Sequence, residues 1–196
     1  MSSLLKNWLL LLLGDYAIYF IYQRHRNSVV SAAAQLDSTF EILELNEAAA
    51  AASSDFFLKS QIQYFGQEAT AFACIQNQQV VGLCFYWFGD LYKSRNFWPL
   101  APNHAKLVQI VTREDMQGRG IAGHLISRSS LTMMSRGFQS LYARVWHSNK
   151  PSWRAFSRSG WERISLAVEI NPFRSTRPLR FFVGRQPPGS NDKRPI

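Results

Sequence analysis

The sequence predicts a single α/β (α+β) domain: a central mixed, mostly antiparallel β-sheet with helices on both faces. Three observations lead there. A length of 196 residues suits one domain, and a composition that is 46% apolar and 14% aromatic can fill a core. Two strand-like runs, 69–76 and 79–88, are joined by Asn77-Gln78, the two-residue spacing of a β-hairpin. Beyond them the pattern runs strand, helix, strand, helix, strand, which implies a mixed sheet with helices packed on it.

The elements follow in order. Residues 4–13 read as a short amphipathic helix, ended by a turn at Gly14-Asp15, and 16–22 as an aromatic-rich strand. A membrane or signal reading of residues 1–22 is disfavoured. The uninterrupted apolar run, 8–13, is too short to span, and a span of about 20 residues would place Lys6, Asn7 and Asp15 in hydrocarbon. Residues 24–38 are polar and read as loop, and 40–45 begin a second structured stretch. Asn46 is placed to cap a helix over the alanines 48–52, which resumes through Phe56, Phe57 and Leu58. Two prolines make 91–103 a loop, and 106–112 is a strand rich in β-branched residues. A long helix is expected from Gly118 to Arg136, with a buried stripe of Ile121, Leu125, Leu131 and Met134 and an end at Gly137. Residues 141–146 read as a strand, 151–159 as a short helix opened by Pro151, 161–170 as a strand and 179–183 as a last edge strand. The domain is thus expected over 1–183, with a disordered tail at 184–196.

Charge and cysteine usage narrow the partners. Residues 1–100 hold six Lys/Arg against eight Asp/Glu, whereas 101–196 hold sixteen against five, so the net +9 is concentrated in the second half and attracts an anion. Cys74 and Cys84 sit in apolar surroundings with no C-x-x-C pattern. That argues against a zinc site, a redox motif or a disulfide framework and suits a reducing cytoplasm.

The stretch Gln117-Gly118-Arg119-Gly120-Ile121-Ala122 carries chemistry. A strand delivers the chain into a glycine-containing turn that opens a helix, so the first helical N–H groups lack intrahelical partners. Glycines let backbone approach a ligand, the helix dipole favours negative charge, and Arg119 adds a positive one: such a turn binds phosphate. The spacing is neither the Walker pattern nor G-x-G-x-x-G.

This segment resembles the [Q/R]-x-x-G-x-[G/A] signature of the GNAT-type N-acetyltransferase superfamily. Asn149, Ser152, Phe156, Gly160 and Trp161 resemble that family's N-x-x-[A/S]-x-x-x-[Y/F]-x-x-x-G-[F/W] block, in the right order and separation. The likeness covers about residues 69–170, with core motifs at 106–161 and a divergent part at 1–65. It implies a splayed strand pair holding acetyl-CoA, with no metal. Ile110 and Thr112 would offer backbone groups to the pantetheine and acetyl oxygen. Gln117, Gly118, Arg119, Gly120, Ile121 and Ala122 would grip the pyrophosphate, and Asn149 would touch the pantetheine arm. The implied partners are acetyl-CoA and an amine acceptor, with no nucleic acid, and the protein is expected to be a monomer or homodimer.

Two departures stand out. Many relatives carry a Glu base on the strand before the turn, yet no acid lies between Asp90 and Glu114, and Phe156 stands where many have a Tyr acid. His147, between the strand end and Asn149, is the candidate base, since its reference pKa of about 6.5 suits the task. His104 could line the acceptor site, His124 reads as structural, and Glu114 and Asp115 read as helix caps. The aromatic cluster of Tyr86, Trp87, Phe88, Tyr92, Phe97 and Trp98 would flank an acceptor cleft. A non-catalytic acyl-CoA-binding protein is the main alternative. A basic nucleic-acid-binding protein is a weaker one, because Arg128, Arg136, Arg144, Arg154, Arg158 and Arg163 are spread over several elements.

Overall fold

The computed structural model describes residues 15–26, 40–93, 97–171 and 179–188. The expected helix before Asp15 and most of the polar stretch after Arg24 lie outside them.

One eight-stranded sheet organises the chain, in the order β2-β3-β4-β5-β6-β1-β7-β8. β1 (Asp15–His25) lies between β6 (Ser140–Trp146) and β7 (Glu162–Asn171), antiparallel to both. The sequence places Arg24 in a loop. The strand instead continues through it, and its side chain is only 1% exposed, with a guanidinium nitrogen donating to the Ser127 carbonyl at 3.5 Å. β1 is paired on both sides from Tyr19 to Gln23, and its ladder with β6 continues through Arg24 to His25, which keeps these polar residues in the strand. Gln23 is satisfied by the Tyr142 hydroxyl, 2.8 Å away.

β2 (Glu41–Leu45) is one edge, paired to β3 (Ala69–Gln76). The β3–β4 hairpin turns through Asn77 and Gln78 with φ of 49° and 62°, the left-handed pair that matches strand twist. β4 (Gln79–Trp87) then pairs with β5 (His104–Thr112). Helix α1 (Glu47–Ala52) starts where expected, with Asn46 Oδ1 accepting from the Ala48 amide at 2.7 Å, and α2 (Phe56–Lys59) is capped by Asp55 in the same way. The chain after β4 is not all loop. Gly89–Lys93 forms α3, and beyond it Phe97 and Trp98 are buried, with the Tyr92 hydroxyl donating to the Trp98 carbonyl at 2.7 Å.

The long helix α4 (Ile121–Ser135) begins three residues later than the sequence suggests. Gly118 and Gly120 hold φ of +81° and +80°, which no helical residue adopts, so both belong to the turn. Its buried side carries Ile121, Leu125, Ile126, Met133 and Met134, whereas Leu131 is exposed. Ser127, Ser129 and Ser130 take the remaining buried positions. Ser129 Oγ lies 3.0 Å from the Tyr86 hydroxyl, and Ser130 Oγ accepts from Trp161 Nε1 at 3.2 Å. These small side chains let the helix lie close to the sheet. At Gly82 a Cβ would stand 2.8 Å from an Ile121 methyl, so bare backbone there admits the start of α4.

Helix α5 (Lys150–Arg158) packs beside α4 on the same face. The opposite face is covered by α1 to α3 and their aromatic residues, so helices occupy both sides of the sheet, as expected. β8 (Leu179–Gly184) is the far edge. Gly184 and Arg185, assigned to the tail by sequence, are held: Arg185 donates to Gln23 Oε1 at 2.6 Å and through its amide to the Ile164 carbonyl. Cys74 and Cys84 are both free and buried, and burial pushes their thiols up to about 11 and about 12.

Candidate active site

β5 and β6 are the one parallel pair in the sheet, and they pair only from His104 with Ser140 to Leu107 with Ala143. β5 bulges at Val108: Phe85 pairs with Gln109 and Tyr86 with Leu107. From there the strands part while each keeps its other neighbour. The backbone exposed in the gap follows from the antiparallel pattern. The Arg113 amide donates to the Val81 carbonyl at 3.0 Å, so residues 113 and 111 exchange bonds with β4, and the intervening Ile110 and Thr112 present their N–H and C=O groups to the opposite, open side. The gap is a cleft of about 180 Å³.

At its open end the chain makes a 3₁₀ turn, Glu114–Met116, and then passes through Gln117 to Gly120 into α4. Neither acidic residue caps the helix. Asp115 pairs with Arg113 at 3.2 Å, and the cap position is Gly120, which has no side chain to offer. The first helical bond runs from the His124 amide to the Gly120 carbonyl. Among the described residues, nothing accepts from the amides of Gly118 to Gly123. A Cβ at Gly118 would meet no atom within 4 Å, and one at Gly120 only the His124 ring at 3.8 Å. With Gln117 and Arg119 exposed beside it, the turn is an open concavity of donors with an added cation. An anion of pyrophosphate type fits these groups.

α5 supplies the cleft wall on that face. Asn149 caps the helix by accepting from the Ser152 amide at 3.1 Å, which leaves its NH2 group uncommitted among the described residues. Phe156, 2% exposed, closes the floor, with Tyr22 and Trp161 behind it. Asn149, Ser152 and Phe156 line the cleft together with Ile110.

The histidines distribute differently. His147 follows β6 with its ring exposed, outside the cleft lining but between two residues that belong to it, Trp146 and Asn149. Its Nδ1 stands 3.1 Å from the Ile18 carbonyl and must carry the proton there, so the neutral ring keeps its lone pair on Nε2. His104 does not line the cleft: it is the first residue of β5, paired with Ser140 at the closed end, and its Nδ1 accepts from the Ala101 amide. Burial, then the nearby His25, lowers its pKa from the usual 6.5, and burial with Arg128 does the same to His124. The unfolded chain therefore takes up protons first on acidification. Their stabilising contribution is complete above pH 6.5 and is lost as pH falls through the folded values. Unfolding in urea between pH 7 and 5 is expected to show this decline, and a His104→Gln variant a shallower one.

Sequence reasoning did not single out Lys106 or Arg144 as residues of the site, although both line the cleft. A lysine among the β-branched and apolar residues of β5 was the available signal: Lys106 is only 4% exposed, with Nζ 3.4 Å from the centre of the Phe97 ring.

The site thus combines a parallel strand pair that opens into a cleft, a glycine turn with free donors and a helix capped by Asn149. The chain matches the Acetyltransferase (GNAT) family over residues 36–161, more than half its length, and belongs to that family. Solved structures agree in fold. A GNAT-family protein from Novosphingobium aromaticivorans is 15% identical with a TM-score of 0.57, over 80% of this chain and 64% of that one. A GNAT acetyltransferase from Colwellia psychrerythraea is 15% identical with a TM-score of 0.56, over 86% and 61%. A GCN5-related N-acetyltransferase from Sphaerobacter thermophilus is 13% identical with a TM-score of 0.52, over 86% and 56%. The chain spans less than two thirds of the length of each of these structures. No curated protein matches it. Among the described residues no helix is long and apolar enough to cross a membrane, and no group of three or more His, Cys, Asp or Glu could hold a metal.

Proposed function

We propose that the chain is an acetyl-CoA-dependent N-acetyltransferase acting on a primary amine of a small molecule, amino sugar or peptide, by direct attack in a ternary complex. One observation carries this reading: the parting of β5 from β6 opens a cleft lined by Ile110, and the strand then turns the backbone of Thr112 to the same open side before the chain enters the turn with the uncommitted amides of Gly118 to Ala122. Acetyl-CoA supplies an activated acetyl thioester. The amides of Gly118, Gly120, Ile121 and Ala122, with Gln117 and Arg119, hold its pyrophosphate, and Asn149 and the backbone of Ile110 and Thr112 orient the arm that reaches into the sheet. Orientation of two bound partners supplies much of the rate. His147, with Nδ1 committed to Ile18, takes the amine's proton on Nε2 through a water. Buried, unpaired cysteines suit a cytoplasmic setting.

Calorimetric titration with acetyl-CoA, followed by thiol release with a panel of amines, tests the reading. Micromolar binding and amine-dependent release are expected, and no binding overturns it. In His147→Ala, kcat is expected to fall about a hundredfold with acetyl-CoA affinity unchanged. An unchanged kcat removes His147 from the mechanism and leaves the transferase standing. The second reading, acyl-CoA binding without catalysis, is favoured by the absence of any Asp or Glu from the described cleft lining and by Phe156 at the floor. Binding without thiol release decides for it.

A further inference from the structure

The cleft passes through the sheet, and its two mouths differ in chemistry. Asn149 and Ser152 stand at the mouth on the side of α4 and α5, with Phe156 at the floor beneath them. Lys106, Arg144 and Trp146 stand on the other side, under α3 and the aromatic residues that follow it. If the donor enters beside α4, as the proposed function requires, the acceptor approaches from the second mouth.

Two cations meet there. Arg144, from β6, lies over Tyr19, Phe97 and Trp146, with its guanidinium carbon 5.1–5.5 Å from the ring centres. Lys106, from β5, packs on the Phe97 ring as well, with Nζ 3.4 Å from its centre. Among the described residues no carboxylate stands within ion-pair distance of Arg144. The acidic residue near Tyr19 is Glu169, and it is engaged by Arg180 at 2.7 Å and by the Tyr19 hydroxyl at 3.3 Å. A guanidinium held against ring faces at cation–π distance keeps N–H donors free for a forked anion, and the surrounding rings restrict where it can sit. The same pair of charges repels a polycationic amine.

From this we infer that the acceptor is an amine that also bears an anionic group, a carboxylate or a phosphate, received by Arg144 with Lys106 beside it. The inference rests on the acetyltransferase reading and narrows its substrate class. Tyr19 belongs to β1, outside the segment that matches the family, so this seat is built partly from the chain's own N-terminal strand.

The test uses matched amines at saturating acetyl-CoA with thiol release as readout: each of the twenty amino acids against its carboxamide, phosphoethanolamine against ethanolamine, and spermidine as a polycation. A tenfold or greater preference in kcat/KM for the anionic member is expected, and the carboxylate and phosphate pairs show which anion is read. In Arg144→Gln the KM for that member rises about thirtyfold, while the calorimetric Kd for acetyl-CoA stays at the wild-type value. Arg144→Lys recovers part of the loss, which separates charge recognition from a packing defect. Preference for carboxamides, ethanolamine or spermidine overturns the inference. So does turnover of neutral amines with none of any anionic one, whereas acetyl-CoA binding without turnover of any amine decides for the non-catalytic reading and removes the acceptor inference with it. Failure to bind acetyl-CoA at all instead overturns the underlying function.

Discussion

Gly120→Trp is expected to raise the Kd for acetyl-CoA more than about a hundredfold in a protein that still folds. Two facts about this position give the two halves of the result. The backbone at Gly120 sits at φ +80°, so any side chain there adds strain of about 1–2 kcal/mol, a modest loss for a domain of this size. The space around it is nearly empty, with one His124 ring carbon 3.8 Å from where a Cβ would stand, so an indole collides with nothing that holds the fold together. What it fills is the concavity in front of the amides of Gly118 to Gly123. Gly120→Ala separates the effects, since it carries the same strain but leaves the concavity open, and its affinity is expected to fall by tenfold or less. Circular dichroism melts on both variants, alongside calorimetry, make the comparison. Wild-type affinity in Gly120→Trp would move the phosphate site away from this turn.

How much of this was legible from the sequence depended on whether the signal was local. The hairpin at Asn77-Gln78, the cap at Asn46 and the glycine turn are each encoded within a few residues, and the structure forms all of them. The parting of β5 and β6 was reachable only through the family resemblance, because it depends on a bulge at Val108 and on which strands lie beside them. The central place of β1 was not legible. An aromatic strand at the start of a chain looks the same at an edge or in the middle, and only the pairing of Phe20 with both Val145 and Leu166 distinguishes them. The helix register failed at Leu131 for a related reason. Apolar spacing was read as the buried face, but Ser129 and Ser130, which bond to Tyr86 and Trp161, take that face with Ser127. His104 and His147 illustrate the limit for chemistry. Sequence placed both near the cleft, yet a paired register puts His104 at the closed end, and a carbonyl on β1 fixes the tautomer of His147. Lys106 and Arg144 became residues of interest only when Phe97 and Tyr19, distant in sequence, were seen to seat them.

Phe156→Ala is expected to cost about 3–5 kcal/mol of stability and to lower the melting temperature by roughly 10 °C. The ring is 2% exposed and fills space that nothing else reaches. Trp161 meets it edge-on at 5.1 Å and 85°, and Tyr22 lies against it at 5.4 Å. Both neighbours are anchored, Tyr22 in the middle of the sheet and Trp161 by its hydrogen bond to Ser130, so neither can collapse into the void, and the full cavity term applies. The same ring is the floor of the cleft, which ties stability to function at this one position. Truncating it widens the cleft where the proposed site would hold the arm of acetyl-CoA between Asn149 and β5, so affinity is expected to fall along with stability. Phe156→Tyr makes the complementary case: it keeps the packing volume and adds a hydroxyl at the cleft. Its melting temperature should stay within a few degrees of wild type, and any gain in thiol release at saturating acetyl-CoA then reports a proton donor at a position where the native side chain has none. If Phe156→Ala melts like wild type, the contacts to Tyr22 and Trp161 do not support the fold, and the cleft floor is built by other residues.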